Sequence, residues 1–207
     1  MIPKEAFSAI IAELERKPLV ENRYRNRSGV GRSQAFGVVN KRCMPPDYSR
    51  QNWLRPYLYK CLCDFAETYV DISWNAITLN QNYRAEKHRD KGNQGISYLV
   101  SFGDFTGGQL RIHEGELEGL HDIDRTPLKT DFSKVYHSVE EFTGNRYSLV
   151  FYTLKTKKPL DLPPGSVEKE GDEWVFKRGG VICKGLPHPL RKEGMKIKKE
   201  VTRVEFE

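Results

Sequence analysis

The residues after Asp71 form a series of short apolar and aromatic segments, and this pattern limits the possible folds more than any other feature of the chain. The segments are ISWNAITLNQNY, GISYLVSFGDF, GGQLRIH, KVYHSVEEF and RYSLVFYTL, and they are separated by glycine or aspartate turns. Short runs of branched and aromatic residues with turn residues between them are typical of β-strands. The sequence therefore predicts an antiparallel β region of about eight short strands, arranged as a sandwich or a jelly-roll barrel.

Two helices are predicted before this β region. Residues 4–17 carry apolar side chains at helical spacing, and Pro18 ends the segment. A second helix begins near Pro56, a residue that suits the first helical turn, and extends to about Tyr69. The expected fold class is therefore mainly β with flanking helices (α+β), with a double-stranded β-helix (jelly-roll) core and the N-terminal helices packed outside.

We expect the chain to form one domain. Residues 1–158 would hold a helical lead-in at 1–70 and the jelly-roll core at 71–158. Residues 159–207 begin with a loose stretch and then offer two hairpin-like pieces, EWVFKRGGVICKG and MKIKKEVTRVEFE. We interpret them as a C-terminal β extension of the same domain, because 207 residues are enough to bury one sizeable core.

The composition is that of an ordinary globular protein, with 38% hydrophobic and 30% charged residues. No apolar run approaches the roughly 20 residues that span a bilayer, and the opening stretch lacks the layout of a signal peptide. The four cysteines show no C-x-x-C spacing, which argues against a zinc knuckle. We expect a monomer in the cytoplasm or the nucleus, neither secreted nor bound to a membrane.

The stretch EKHRDKGNQG places His88 and Asp90 two residues apart. Alternate side chains of an extended segment project to the same face, so this imidazole and this carboxylate point the same way. Five histidines and 28 acidic residues make a chance pair of this kind common, so a charged turn is the alternative interpretation. A third ligand type, His137, follows on the strand KVYHSVEEF, and the combination favours a metal site.

The strand after His137 brings a cation to the same region. Following the turn Thr143-Gly144-Asn145, alternation places Arg146 and Ser148 on one face of RYSLVFYT. Two histidines and one carboxylate on one face of an iron octahedron leave three positions open, as in non-haem Fe(II) oxygenases. One position takes oxygen, and the other two suit a chelating 2-oxo acid. A planar guanidinium binds carboxylates bidentately, so Arg146 with Ser148 suits the distal carboxylate of 2-oxoglutarate.

This order of motifs, from Ile77 to Tyr152, resembles the Fe(II)- and 2-oxoglutarate-dependent dioxygenases. The texts NQNYRAEKHRDKGNQGISYLVSFGDFTGGQL and HSVEEFTGNRYSLVFY look most like the branch related to ten-eleven translocation and J-binding proteins (TET/JBP-like), as do GRSQAFGVVNKR and RQNWLRPYLY. The resemblance implies Fe(II), 2-oxoglutarate and O2 as cofactor and cosubstrates. It also implies oxidative decarboxylation of 2-oxoglutarate coupled to hydroxylation of a C–H bond.

The resemblance implies a role for each motif residue. His88, Asp90 and His137 would be the catalytic iron ligands, and Arg146 and Ser148 would bind the cosubstrate. Three further residues are expected in the same cavity. Asn80 and Asn82 share the direction of the ligand pair if the strand stays regular, and either would reach cosubstrate or substrate; Tyr98 would line the cavity.

The N-terminal part of the chain is basic. Residues 1–60 contain 12 Lys and Arg against 5 Asp and Glu, a balance of +7, while the net charge of the whole chain is +6. Arginines neutralise phosphates and an aromatic ring stacks on an exposed base, so this cluster suits nucleic acid, with DNA favoured. A solvated charged face is the alternative interpretation. The cluster consists of Arg23, Tyr24, Arg25, Arg27 and Arg32.

The leading functional interpretation is an oxygenase that hydroxylates the methyl group of a 5-methylpyrimidine, either 5-methylcytosine or thymine, in nucleic acid. One alternative is a protein hydroxylase, acting on prolyl or another side chain. The other is a non-catalytic module that binds nucleic acid on the same scaffold.

Overall fold

The computed structural model describes residues 1–20, 29–40, 45–156 and 165–178. A 3-10 turn at Lys4–Phe7 leads into helix α1 (Ser8–Arg16), and α2 (Arg50–Leu54) is followed directly by α3 (Pro56–Tyr69). The strands are β1 (Gly29–Val39), β2 (Asp47–Tyr48), β3 (Ala76–Ala85), β4 (Asn93–Gly107), β5 (Leu110–Ile112), β6 (Gly119–His121), β7 (Leu128–Thr130), β8 (His137–Val139), β9 (Phe142–Leu154), β10 (Ser166–Glu170) and β11 (Glu173–Lys177).

The strands form a larger and a smaller sheet, with one separate hairpin. The larger sheet has the order β2-β1-β3-β9-β4-β7, the smaller sheet has the order β6-β5-β8, and β10 pairs with β11. His88 adds an isolated antiparallel bridge to His137 at the β8 edge of the smaller sheet. From β3 to β9 the chain therefore passes repeatedly between the two sheets, and this topology confirms the expected jelly-roll core with flanking helices.

The two faces of the larger sheet carry different side chains. One face and the helices share the main hydrophobic core, where Phe7 stacks on Phe102 with ring centroids 4.3 Å apart. A smaller core, which includes Leu99, Leu110 and Phe132, lies between the two sheets. Since successive side chains of a strand alternate between faces, β4 serves both regions, with Val100 in the main core and Leu99 in the smaller one.

The predicted helices are confirmed, but residues 1–70 are not wholly helical. Strand β1 lies inside the larger sheet, where it pairs antiparallel with β3 over Gly29–Gly37. This strand was not expected from the sequence, because Arg32, Ser33 and Gln34 interrupt the hydrophobic alternation. Two of these polar residues, Ser33 and Gln34, are nevertheless buried.

Part of the C-terminal extension is described. The strand in EWVFK pairs with the preceding strand β10 across a turn at Gly171, with Glu170 opposite Glu173. Residues 179–207, which include the predicted piece MKIKKEVTRVEFE, lie outside the described residues. No helix in the described ranges has the length and apolar character needed to cross a membrane.

Candidate active site

His88, Asp90 and His137 converge at the open edge between the two sheets. The main chains of His88 and His137 exchange two hydrogen bonds, with N···O distances of 3.0 and 2.9 Å. The Asp90 amide donates to the carbonyl oxygen of Phe132 at 3.0 Å. Backbone pairing thus brings the segment after β3 against the segment leading into β8, and places three ligand-type side chains together.

The distances between the side chains suit a single metal ion. Nε2 of His88 lies 3.4 Å from Oδ1 of Asp90, and Nε2 of His137 lies 3.9 Å from Oδ2. All of the ligand atoms lie within 4.8 Å of one another. Donors about 2.1 Å from one ion are about 3–4 Å apart, so the spacing fits an ion held by two imidazoles and one carboxylate. In the described part of the chain, this is the only such group of ligand-type side chains.

Both imidazoles are oriented through their second nitrogen. Nδ1 of His88 lies 2.7 Å from the carbonyl oxygen of Glu86, and Nδ1 of His137 lies 3.2 Å from that of Val135. A carbonyl oxygen only accepts hydrogen bonds, so Nδ1 carries the proton in the neutral ring and Nε2 presents a lone pair. Partners of this kind are typical of metal-binding histidines.

The two histidines differ in their electrostatic environment. Burial is the largest single effect on His88 and tends to lower its pKa. The hydrogen bonds to Asp90, Glu86 and His137 and the charge of Asp90 together outweigh burial, so the pKa is raised. Burial lowers the pKa of His137, and the opposing charge of Asp90 does not overcome it. A metal ligand must present the neutral ring, and the environment of His137 already favours that form.

Arg146 is a buried cation beside the candidate metal site. The residue is 1% exposed, and its Nε and Nη2 atoms have no hydrogen-bond partner among the described residues. The rings of Phe105 and Phe142 flank the guanidinium, with centroids 5.5 and 5.6 Å away. Burial lowers the pKa of Arg146 to about 10, against the opposing charge of Asp124. Buried donors without partners are costly, so this site fits a carboxylate ligand.

A row of small polar residues crosses the larger sheet beside Arg146. Ser33, Asn80, Ser148 and Ser101 are neighbours on β1, β3, β9 and β4 in turn. The amide of Asn80 donates to Oγ of Ser148 at 3.1 Å, and Oγ of Ser101 is buried without a partner among the described residues. The row therefore offers further hydrogen-bonding groups to a polar ligand held by Arg146.

One cavity of about 480 Å³ connects these groups. Its lining includes all three residues of the candidate metal site, together with Arg146, Ser148 and Asn80. All six residues were expected at one site from the sequence, and the structure places all six at this cavity.

Asn82 and Tyr98 do not line this cavity, contrary to expectation. Asn82 has a positive φ of 49° at a register shift between β3 and β1, and its Oδ1 accepts a hydrogen bond from the Arg146 amide at 2.8 Å. The irregularity reverses the alternation, so Tyr83 lines the cavity instead. Tyr98 is 1% exposed and lies in the main core, with its ring edge-on to Phe151.

The predicted nucleic-acid contacts are mostly outside the described residues. Arg23, Tyr24, Arg25 and Arg27 fall in the undescribed range 21–28. Arg32 lies on β1 next to Ser33, which lines the cavity, so alternation directs Arg32 to the other face of the sheet. Arg32 therefore does not contribute to the wall of this cavity.

Two residues of the site were not anticipated. Asn93 lines the cavity three positions after Asp90. Gly108 lies so close to Arg146 that a Cβ at this position would be 2.7 Å from Nε of the guanidinium. The run HRDKGN and the paired glycines of FTGGQL were visible in the sequence, but only the folded chain shows what these residues touch.

Comparison with known proteins gives similarity at the level of structure only. No family model matches the chain, and no curated protein sequence matches it. Among solved structures, NgTET1 in complex with 5mC DNA is similar, with 15% identity, a TM-score of 0.49, and coverage of 74% of this chain and 69% of that chain.

Two further solved structures are similar to a comparable degree. A Pseudomonas putida prolyl-4-hydroxylase has 14% identity and a TM-score of 0.48, with 76% of this chain and 89% of that chain covered. An oxidoreductase of the 2OG-Fe(II) oxygenase family from Burkholderia pseudomallei has 16% identity and a TM-score of 0.46, with 69% and 74% covered.

Proposed function

We propose that this protein is an Fe(II)- and 2-oxoglutarate-dependent dioxygenase. The observation that carries the proposal is the presence, in one cavity, of a His-Asp-His group and a buried arginine whose donors have no partner among the described residues. The His-Asp-His group suits a metal ion that must keep open coordination positions. The buried arginine suits the remote carboxylate of a dicarboxylic acid.

Each group has a defined task in this proposal. His88, Asp90 and His137 would hold Fe(II), and Arg146 with Ser148 would hold the distal carboxylate of 2-oxoglutarate. When iron, 2-oxoglutarate and O2 are bound, they supply oxidative decarboxylation of the cosubstrate coupled to hydroxylation of a C–H bond. The chain orients the imidazoles through Glu86 and Val135, and the apolar wall from the smaller core limits access of water.

The activity is tested by measuring succinate formed from 2-oxoglutarate in the presence of Fe(II) and ascorbate. We expect His88→Ala and Asp90→Ala to reduce the rate to background, since either change removes a ligand. His113→Ala is a matched control, because this histidine contacts Ser138 outside the site. Equal succinate formation by the wild type and both ligand variants would contradict the assignment. Failure of the wild type to bind Fe(II) and 2-oxoglutarate anaerobically would instead indicate a non-catalytic module.

For the substrate, we propose the methyl group of a 5-methylpyrimidine, 5-methylcytosine or thymine, in nucleic acid. Residues 1–60 carry a formal net charge of +7, and Lys91 is exposed at the cavity wall. Arg89, which also lines the cavity, is paired with Glu114 at 2.9 Å. The charge of Lys91 at the wall favours an anionic substrate. A base in a duplex would have to leave the stack to reach the iron.

The substrate is tested by incubation with methylated DNA and RNA, followed by mass spectrometry of the nucleosides. We expect a hydroxymethylated pyrimidine from at least one strand form. Binding of the polynucleotide should weaken steeply as salt rises, because phosphate contacts release counterions. Binding that stays flat with salt, together with hydroxylation of a peptide panel, would favour the protein hydroxylase.

A further inference from the structure

Asn93 lies beside the candidate metal site but is not a ligand-type residue. It begins strand β4, is 7% exposed, and lines the cavity. Its backbone amide donates to the carbonyl oxygen of Asp90 at 2.9 Å, which closes a tight turn from Asp90 to Asn93. The turn brings the Asn93 side chain back to the carboxylate that precedes it by three residues.

The orientation of the Asn93 amide is fixed by two acceptors. Nδ2 lies 3.3 Å from Oδ2 of Asp90 and 3.2 Å from Oγ of Ser97, which is itself fully buried. An ionised carboxylate accepts hydrogen bonds but does not donate them, so the nitrogen and not the oxygen of the amide faces Asp90. Ser97 thus provides a second, buried acceptor that anchors the amide nitrogen.

This contact distinguishes the two oxygens of Asp90. Oδ2 receives the amide of Asn93 and lies 3.9 Å from Nε2 of His137, while Oδ1 lies closer to an imidazole, 3.4 Å from Nε2 of His88, and lacks the amide contact. A carboxylate can bind a metal ion through one oxygen or through both. If both oxygens bound the ion, one of the three positions left open by a facial triad would be lost.

We propose that Asn93 is a positioning residue that engages Oδ2 of Asp90 and so keeps this carboxylate a ligand through Oδ1 alone. The inference rests on the proposed function, because it assumes that the three ligand-type side chains bind a divalent ion. Its consequence is that the positions needed by cosubstrate and oxygen stay open. Asn93 itself touches neither the ion nor the reacting atoms.

The test is a titration of the full chain with Co(II) under anaerobic conditions and without cosubstrate. Visible absorption spectra monitor the binding. Asn93→Leu keeps a similar side-chain volume and removes the donor. We expect Co(II) affinity to fall by about 10-fold to 100-fold, the usual range for partners of metal ligands. We also expect the d–d bands to change in position and intensity, because the coordination number changes.

Asn40→Leu is the matched control. Asn40 also lines the cavity, but its side chain contacts the carbonyl oxygen of Lys155 and not the metal site. Its Co(II) affinity and spectrum should be those of the wild type. A folded Asn93→Leu variant with wild-type affinity and spectrum would overturn the inference.

Ser97→Ala keeps the inference testable if Asn93→Leu does not fold. This variant removes only the anchor of the amide, so we expect a smaller loss of affinity, about threefold, with a spectral change in the same direction. A wild-type titration of folded Ser97→Ala would then overturn the inference. Absence of Co(II) binding by the wild type would instead count against the proposed function.

Discussion

Arg146 shows how one residue can be kept charged and available inside the fold. Aromatic rings flank its guanidinium, and Asp124 contributes a favourable charge without forming an ion pair at contact distance. The cost of burying the cation is therefore not offset by a permanent partner. A bound carboxylate would provide that partner.

We expect Arg146→Lys to raise the KM for 2-oxoglutarate by about tenfold and Arg146→Ala by about 100-fold, because the bidentate contact is weakened or lost. The rate at saturating cosubstrate should change much less. Succinate formation measured over a range of 2-oxoglutarate concentrations checks this. Arg111→Lys is the control, since that arginine forms a partly exposed pair with Glu140. An unchanged KM in Arg146→Ala would remove Arg146 from the cosubstrate site.

Gly108 provides a second test at the same place. A Cβ at this position would lie 2.7 Å from Nε and 2.8 Å from Cδ of Arg146. We expect Gly108→Ala to displace the guanidinium and raise the KM for 2-oxoglutarate by about tenfold. Thermal unfolding should also show a loss of about 1 kcal/mol, because φ is +68°.

Gly171→Ala separates these two effects. Gly171 has a φ of +60°, but no atom lies within 4 Å of the added Cβ. This variant should lose similar stability and keep a wild-type KM. If Gly108→Ala also kept a wild-type KM, the close approach would have no functional consequence.

At the scale of elements, β3 is divided by the irregularity at Asn82. Before the irregularity, the even-numbered side chains of β3 face the cavity, as Asn80 does. After it, the odd-numbered side chains face the cavity, as Tyr83 does. The Asn82 side chain also accepts from the Arg146 amide. This hydrogen bond joins the irregularity in β3 to the point at which the buried part of β9 begins.

We expect Asn82→Ala to lower the free energy of unfolding by about 2 kcal/mol, because it loses the hydrogen bond and places alanine at a positive φ. Asn82→Gly loses only the hydrogen bond and should be about 1 kcal/mol more stable than Asn82→Ala. Urea denaturation of both variants measures this order. The reverse order would contradict a left-handed backbone at this position.

The same irregularity explains what the sequence could and could not predict. His88, Asp90, Arg146 and Ser148 were placed together correctly, because period-two alternation holds locally around each pair. Asn82 was misplaced because an inserted residue reverses the alternation. Asparagine tolerates a positive φ, but one asparagine within a strand pattern does not by itself indicate an irregularity. For Tyr98, alternation alone does not say which face of β4 meets the helices, and the aromatic neighbours that decide it come from distant segments.

At the scale of the whole molecule, the hairpin β10–β11 belongs to the main core. Phe176 is 4% exposed and its ring lies 5.3 Å from that of Tyr48, 4.8 Å from that of Trp53 and 5.6 Å from that of Tyr59. Those partners come from β2, α2 and α3. The described part of the C-terminal extension, residues 165–178, therefore packs on the rest of the chain. That residues 159–207 form one domain with the rest stays a prediction.

We expect Phe176→Ala to lower the free energy of unfolding of the entire protein by about 4 kcal/mol, the usual cost of removing a buried phenylalanine. Glu173→Ala, an exposed change in the same strand, should have an effect below about 0.5 kcal/mol. Denaturant unfolding followed by fluorescence and by circular dichroism should give coincident single transitions. Separate transitions would show that the hairpin unfolds independently.

The backbone bridge between His88 and His137 affects how the site can be filled. The two hydrogen bonds of this bridge involve main-chain atoms only, so they hold the segments together whichever side chains are present. Loading the proposed site therefore requires no assembly of the smaller sheet around the incoming ion. We therefore expect that a divalent ion removed by a chelator can be returned without refolding the chain, and that alanine versions of either histidine crystallise in the same backbone conformation.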